Sequence, residues 1–253
     1  MTARAFLGAG DLYLERYNPA TQTFLGREGP FEVDKFEIKP NAELKEQTSR
    51  GKTKYGQIIE SVPIPQPSDL SIGMTEVTRE SMELALFGTS VSVSQSAGSL
   101  VNEPITAKFD KWVSLTKSNW SAEPVVTDVA GTTTYLKGRD YLTNSVLGMI
   151  KVRSTGTIAD AATLHVDVAY AAYTGTKISG ATQSQVRAKF VLDGVNFADQ
   201  SPSIVTVHEG IMTPDAAFDF MTDNFGSIGL KGRMKTPEGF DEPFTVELRH
   251  TTA

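Results

Sequence analysis

The chain has 253 residues, with 24 lysines and arginines against 30 aspartates and glutamates, three histidines and no cysteine. A formal charge of −6 argues against wholesale attraction to nucleic acid or anionic membranes, and the lack of thiols excludes disulfide staples, thiolate chemistry and the common structural zinc sites. No stretch approaches the ~18 uncharged apolar residues of a membrane helix, the N-terminus lacks the apolar region of a secretory signal, and synthesis in a reducing cytoplasm is expected.

Strand signals dominate from the start. Asp11–Tyr17 alternates Leu12 and Leu14 with Asp11, Tyr13 and Glu15, the pattern of a half-buried strand. Asn18-Pro19-Ala20-Thr21 predicts a turn. Phe24-Leu25 follows, and Gly26 and Gly29-Pro30 punctuate the approach to the next strand. Phe31–Ser49 and Tyr55–Val77 then spell two long strand-like runs around the charged tip Arg50-Gly51-Lys52-Thr53-Lys54. A run of roughly 18 residues spans about 60 Å, whereas a typical strand has about five or six residues. A globule of this size cannot cover both faces and both edges of such a ribbon. Long bare edges attract other chains, so copies covering one another are expected.

One helix is predicted. Thr78-Arg-Glu-Ser81 precedes Met82, Leu84, Ala85, Leu86 and Phe87, and Gly88 stands where a helix stop belongs. Met82, Ala85 and Leu86 are expected to face a sheet.

From Leu100 to Tyr173 the texture changes to short strands at about 8–12-residue spacing, the rhythm of a small β-sandwich. Thr132–Tyr135, the Gly138-Arg-Asp140-Tyr141 stretch, Gly148–Arg153 and Leu164–Tyr170 carry it. Tyr141 is expected in the core, with Asp140 satisfying turn amides. The chain then resumes its earlier style. Val186, Ala188, Phe190 and Leu192 alternate inward ahead of a predicted turn at Asp193-Gly194-Val195-Asn196, and strands are expected at Ile204–Gly210, Ala217–Met221, Ile228–Met234 and Phe244–Leu248. The expected organisation is a discontinuous β domain, 1–99 with 174–253, carrying an inserted module, 100–173.

Chemistry is sparse. His165, His208 and His250 lie far apart in sequence, and no metalloprotease helix, phosphate loop or nucleophile elbow is present. Gly8-Ala9-Gly10 precedes a strand and lacks the third glycine of a dinucleotide loop. Asp193, Asn196 and Asp199 miss the spacing of a calcium loop and read as turn residues. Asn119-Trp-Ser121 is a glycosylation sequon in form alone. Phe218, Phe220 and Phe225 read as strand-spaced core, since Asp215, Asp219 and Asp223 surround them where a stacking surface needs cations. The basic tip reads equally as a solvated loop or as a contact to acidic groups on a neighbouring subunit. No catalytic set, metal site or cofactor site is expected, and the chain is not read as an enzyme.

Gly10–Asn18 (GDLYLERYN), the long run from Phe31 to Met74 with the helix TRESMELALFG behind it, and Phe190–Asn196 (FVLDGVN) together resemble the major tail tube protein of long-tailed, non-contractile bacteriophages. The resemblance covers about two thirds of the chain and rests on texture and order. The 100–173 segment resembles the Ig-like modules that phage virion proteins carry. The implied fold is mainly β, a tail-tube β-sandwich or barrel wall domain with one short α-helix and a small inserted Ig-like β-sandwich. The implied function is structural. Six copies form a ring, their long strands merging into one barrel around a channel, and rings stack head to tail into a tube that conducts genomic DNA from capsid to host. The hairpin tip, with Arg50, Lys52, Lys54 and Tyr55, would bridge rings, and Glu43, Glu46 and Glu60 would line the channel. Lys35, Lys39 and Lys45 would then face outward or pair across subunits. The implied partners are further copies of the chain, a tape-measure protein and tail-end proteins, with DNA passing unbound. The implied location is the virion, after assembly in the host bacterial cytoplasm. The alternative reading is a monomeric β-sandwich surface or carbohydrate-binding protein.

Overall fold

The computed structural model describes residues 5–19, 21–221, 223 and 226–249. It is mainly β, with one helix among the described residues. In chain order the elements are β1 (Gly8–Asn18), β2 (Thr23–Thr48), β3 (Ile58–Met74), α1 (Arg79–Ala85), β4 (Thr89–Gln95), β5 (Gly98–Thr106), β6 (Trp112–Ser114), β7 (Val125–Asp128) and β8 (Tyr141–Asn144). They continue with β9 (Met149–Val152), β10 (Thr163–Tyr170), β11 (Tyr173–Ser179), β12 (Val186–Asn196), β13 (Ser201–Pro214), β14 (Ile228–Met234) and β15 (Phe244–Leu248). Two compact units divide the chain, one made of residues up to Ser90 with those from Ile178 onward, the other Val91–Lys177. The insertion therefore begins earlier than residue 100, because β4 and β11 pair as a two-stranded ribbon through which the chain leaves one unit and returns.

In the first unit every strand pairing is antiparallel, in the order β12-β1-β2-β3-β14-β13-β15. β13 also pairs with β12 along its length, from Val186↔Met212 to Asn196↔Ser201, so the first six strands close on themselves. Alternation decides what lies inside. Leu12, Leu14, Leu70, Ile72, Met74, Ala188, Phe190, Val207, Met212 and Leu230 are buried in one core, against which Phe36 and Ile38 pack. Removing a side chain such as Phe190, fully buried there, costs ~3–5 kcal/mol in a close-packed core. Within the chain, closure of these six strands hides the core, while β15 stands at the end of the sheet.

Two local expectations change for steric reasons. Asp193–Asn196 forms no turn but continues β12, and the chain turns after it, with Gln200 at φ 56°. Gly194 and Gly10 serve close strand approach here. A Cβ on Gly10 would lie 2.6 Å from the Asp193 carbonyl oxygen, and one on Gly194 would lie 2.8 Å from Ser203 Oγ. Asn196 ties down the chain start, accepting from Leu7 N (2.9 Å) and Ala198 N (3.2 Å) and donating to Ala5 O (3.2 Å). The predicted strand Ala217–Met221 is irregular. Phe218 packs on the core and meets Phe220 edge-on at 4.9 Å, but Phe220 is 70 % exposed; Phe225 lies outside the described residues.

Helix α1 starts on a reciprocal cap. Thr78 N donates to Ser81 Oγ (2.7 Å) and Ser81 N donates to Thr78 Oγ1 (3.2 Å). Leu84 is its most buried apolar side chain, flanked by Met82, Ala85 and Phe87, and Leu86 is not among the residues packed on the core. Phe87 takes the left-handed position after the helix at φ 49°. Gly88 is required for a different reason, since a Cβ there would sit 2.7 Å from Ile178 Cγ2. Arg16 of β1 ion-pairs with Glu28 of β2 (2.8 Å) and with Glu83 of the helix. Burial works against the charge on Glu83, but hydrogen bonds from Ser90 and Arg16 outweigh it and hold the carboxyl below its ordinary value.

The second unit contains two three-stranded sheets, β5-β10-β7 and β6-β9-β8, around one core that includes Trp120, Val126, Tyr141, Ile150, Leu164 and Val166. Thr132–Tyr135 contributes one bridge, Thr127↔Thr134, and no strand. Tyr141 is buried and donates to the Pro124 carbonyl (2.8 Å). Asp140, fully buried, accepts from Leu136 N (2.8 Å), Thr157 N (2.9 Å), Thr157 Oγ1 (3.0 Å) and the Arg139 guanidinium (2.8 Å). Chiefly the Arg139 hydrogen bond, against the opposing effect of burial, holds its carboxyl well below the usual range.

A carboxyl whose folded-state pKa is depressed contributes stability above its unfolded value, about 3.9, and loses it as pH falls further. Asp140→Asn is therefore expected to lower stability by ~1–3 kcal/mol near pH 7. Between pH 5 and 2 its thermal midpoint should fall less than that of the wild type; parallel midpoint curves would contradict the role assigned to Asp140.

Candidate assembly surface: the long hairpin

β2 and β3 outrun the core they help to build. Their ladder passes from Lys39↔Asp69 through an irregularity to Asn41↔Gln66 and continues to Thr48↔Ile58. Along this arm Ala42–Thr48 and Ile58–Pro67 are exposed. Leu44 is 60 % exposed, Ile59 62 %, Val62 51 % and Ile64 40 %. An uncovered two-stranded ribbon is marginally stable in water.

The period of two sorts the side chains onto faces, because residues directly opposite each other share one. Glu43, Lys45, Gln47, Glu60, Val62 and Ile64 lie on one face, and Ala42, Leu44, Glu46, Ser61, Pro63 and Pro65 on the other. Glu43 and Glu60 are thus brought to the same face and Glu46 is turned away from both, so the three cannot line one surface together. Lys45 ion-pairs with Glu43, and Lys35 pairs with Glu37 at 2.8 Å. Lys39 stands opposite Asp69. Charge pairing within the chain therefore accounts for Lys35 and Lys45 without a neighbouring subunit. The pattern extends over the outer wall of the core, where Lys231 meets Asp215 at 2.5 Å and Arg233 meets Asp69 at 3.6 Å. Such exposed pairs contribute little to stability, but they leave that wall electrically balanced.

The hairpin tip is a compact loop. Ser49 N donates to Gln57 O (2.7 Å), Gly56 N to Ser49 O (2.9 Å), and Lys54 N to Gly51 O (3.1 Å). It begins earlier and ends later than the sequence suggests, so Tyr55 sits in the tip instead of opening β3. Arg50, Lys52, Lys54 and Tyr55 are all exposed, Tyr55 by 78 %. Among the described residues no carboxylate pairs with the three cations. Between Asn41 and Gln66 three carboxylates therefore stand against four cations, and the cations concentrate at the free end.

No group of three or more histidine, cysteine, aspartate or glutamate side chains that could hold a metal exists among the described residues. His165 lies in β10 and His208 in β13, where it stacks on Phe240 at 4.0 Å; His250 lies outside the described residues. No helix among the described residues is long and apolar enough to cross a membrane.

Residues 5–236 match the family described as Protein of unknown function UCP028589, and the chain belongs to that family. No curated protein matches the chain.

The exposure of the arm sets its dynamics. In the unassembled protein, hydrogen exchange at residues 41–66 is expected to be orders of magnitude faster than at β12 and β13, whose amides lie within the closed ladder. Equal protection in the two regions would show that the arm is held by something other than its own two strands.

Proposed function

We propose that this chain is the structural subunit of a phage-type tail tube, assembled from hexameric rings stacked head to tail. The observation that carries the proposal is the arm, a ribbon from Asn41 to Gln66 with uncovered faces, bare edges and exposed aliphatic side chains. Water is a poor environment for such a ribbon, and a second copy of the same chain is the partner always present at matching concentration. Contacts between two different surfaces of identical chains do not close along an axis, which is how one subunit makes a tube. The resemblance of the sequence to tail tube proteins points the same way.

On this reading the work is passive conduction in a virion, with tape-measure and tail-end proteins as further partners. The channel wall should not grip phosphate, and an electrically balanced surface meets that requirement as an acidic one does. The lining role falls to the Glu43 and Glu60 face or to the Glu46 face, not to both. The cationic tip, extended past the core and unpaired, suits a contact with acidic groups of the next ring.

Negative-stain microscopy of the purified protein is expected to show rings or tubes with a central channel; a strictly monomeric sample at high concentration overturns the proposal. Replacing residues 91–177 by a short linker is expected to leave assembly intact, and loss of tubes would place that unit in the wall. Lys52→Glu combined with Lys54→Glu should yield single rings with few stacks, whereas tubes of wild-type length would refute a bridging tip.

A further inference from the structure

The two edges of the arm are chemically unequal. The β2–β3 ladder runs unbroken past Pro63 and Pro65, paired with Leu44 and Ala42. Antiparallel ladders alternate pairs that exchange hydrogen bonds with pairs whose N–H and C=O groups point away from each other. Proline has no N–H, so an unbroken ladder places Pro63 and Pro65 at the second kind, with the missing donors on the outer edge of β3. Thr75 N donates to Glu32 O (3.1 Å), which gives the same phase through the intervening irregularities. The outer edge of β3 is thereby sealed against a further strand.

The outer edge of β2 is open. Its residues opposite the outward-facing positions of β3 are Ala42, Leu44 and Glu46, and Thr48 continues the series. Each carries an N–H and a C=O pointing away from β3. β1 pairs with β2 only between Thr23 and Glu32, so no strand among the described residues meets this edge. Pro40 belongs to the same series and closes the open edge at its base.

A second edge of this kind lies at the end of the sheet. β15 pairs with β13 on one side alone. Arg249 N donates to Pro202 O (3.0 Å), and Pro243 O accepts from His208 N (3.1 Å), so odd-numbered residues face β13. Phe244, Val246 and Leu248 present their backbone groups outward, and no proline interrupts them. Val246 is 52 % exposed and Leu248 59 %.

We propose that the open β2 edge of one copy, Ala42–Thr48, pairs with the β15 edge of the next, Phe244–Leu248, extending the sheet across the subunit boundary. The proposal rests on the tube reading for its choice of partner edge. Pairing β2 with β2 would be isologous and would stop at a dimer, whereas β2 with β15 joins different surfaces and leaves one of each free on every new copy. The prolines of β3 make the pairing one-sided.

Proline substitution tests this directly. Glu46→Pro and Val246→Pro each delete an outward N–H that no intrachain ladder uses, so the monomer keeps its fold, checked by circular dichroism and melting. Each is expected to raise the protein concentration needed for assembly about fivefold or more, as loss of one hydrogen bond worth ~1 kcal/mol requires. Ser61→Pro, on the edge already sealed, should assemble like the wild type, and Val246→Ala separates loss of the side chain from loss of the N–H. Assembly by wild type and Glu46→Pro alike overturns the edge pairing and leaves the tube reading standing, as does failure of Ser61→Pro. A wild type that never assembles overturns both.

Discussion

Backbone hydrogen bonding at strand edges governs this molecule. A strand exposes a row of donors and acceptors that must find partners in water or in another strand. In the core unit the problem is solved internally, because β13 pairs with β12 on one side and β14 joins it to β3 on the other. Closure lets a core of Leu, Ile, Met and Phe side chains form without help from another chain. Among the described residues, open edges remain along the hairpin beyond Glu32 and at the last strand. The assembly hypothesis follows from where closure stops.

Glycine and proline do most of the placing, and for opposite reasons. Gly10, Gly194 and Gly88 stand where a Cβ would collide with a neighbouring backbone or side chain, so they allow close packing of chains that are already extended. Pro63 and Pro65 remove donors from one edge of the arm and leave the opposite edge intact. A hairpin built this way has a front and a back at the level of its amides, independent of its side chains.

Charge plays a quieter part. Arg16 joins two strands and the helix through Glu28 and Glu83, and Asp140 organises a turn of the inserted unit through four hydrogen-bonding groups. The exposed ion pairs on the outer wall and the arm balance one another. Exposed pairs of that kind each contribute little to stability. The tip is the exception, with its cations concentrated and without a carboxylate partner among the described residues.

Much of this was legible in the residues themselves. Period-two alternation identified β1 and most of β12, strands were expected at β14 and β15, Thr78 and Ser81 announced the helix, and a change of texture near Leu100 pointed to a unit that begins at Val91. Asp140 and Tyr141 revealed their roles because a turn and its core anchor are local. What stayed hidden was non-local. Whether Gly194 turns the chain or admits a neighbour depends on Ser203 and Ala9, and whether Phe220 is core depends on strands that pass elsewhere. Glu43, Glu46 and Glu60 look alike in sequence; only the register of β2 on β3 sends one to the far side. The alternation of the chain sets which side chains travel together, but closure of the sheet, decided by pairings between residues nearly two hundred positions apart, sets which edges remain open.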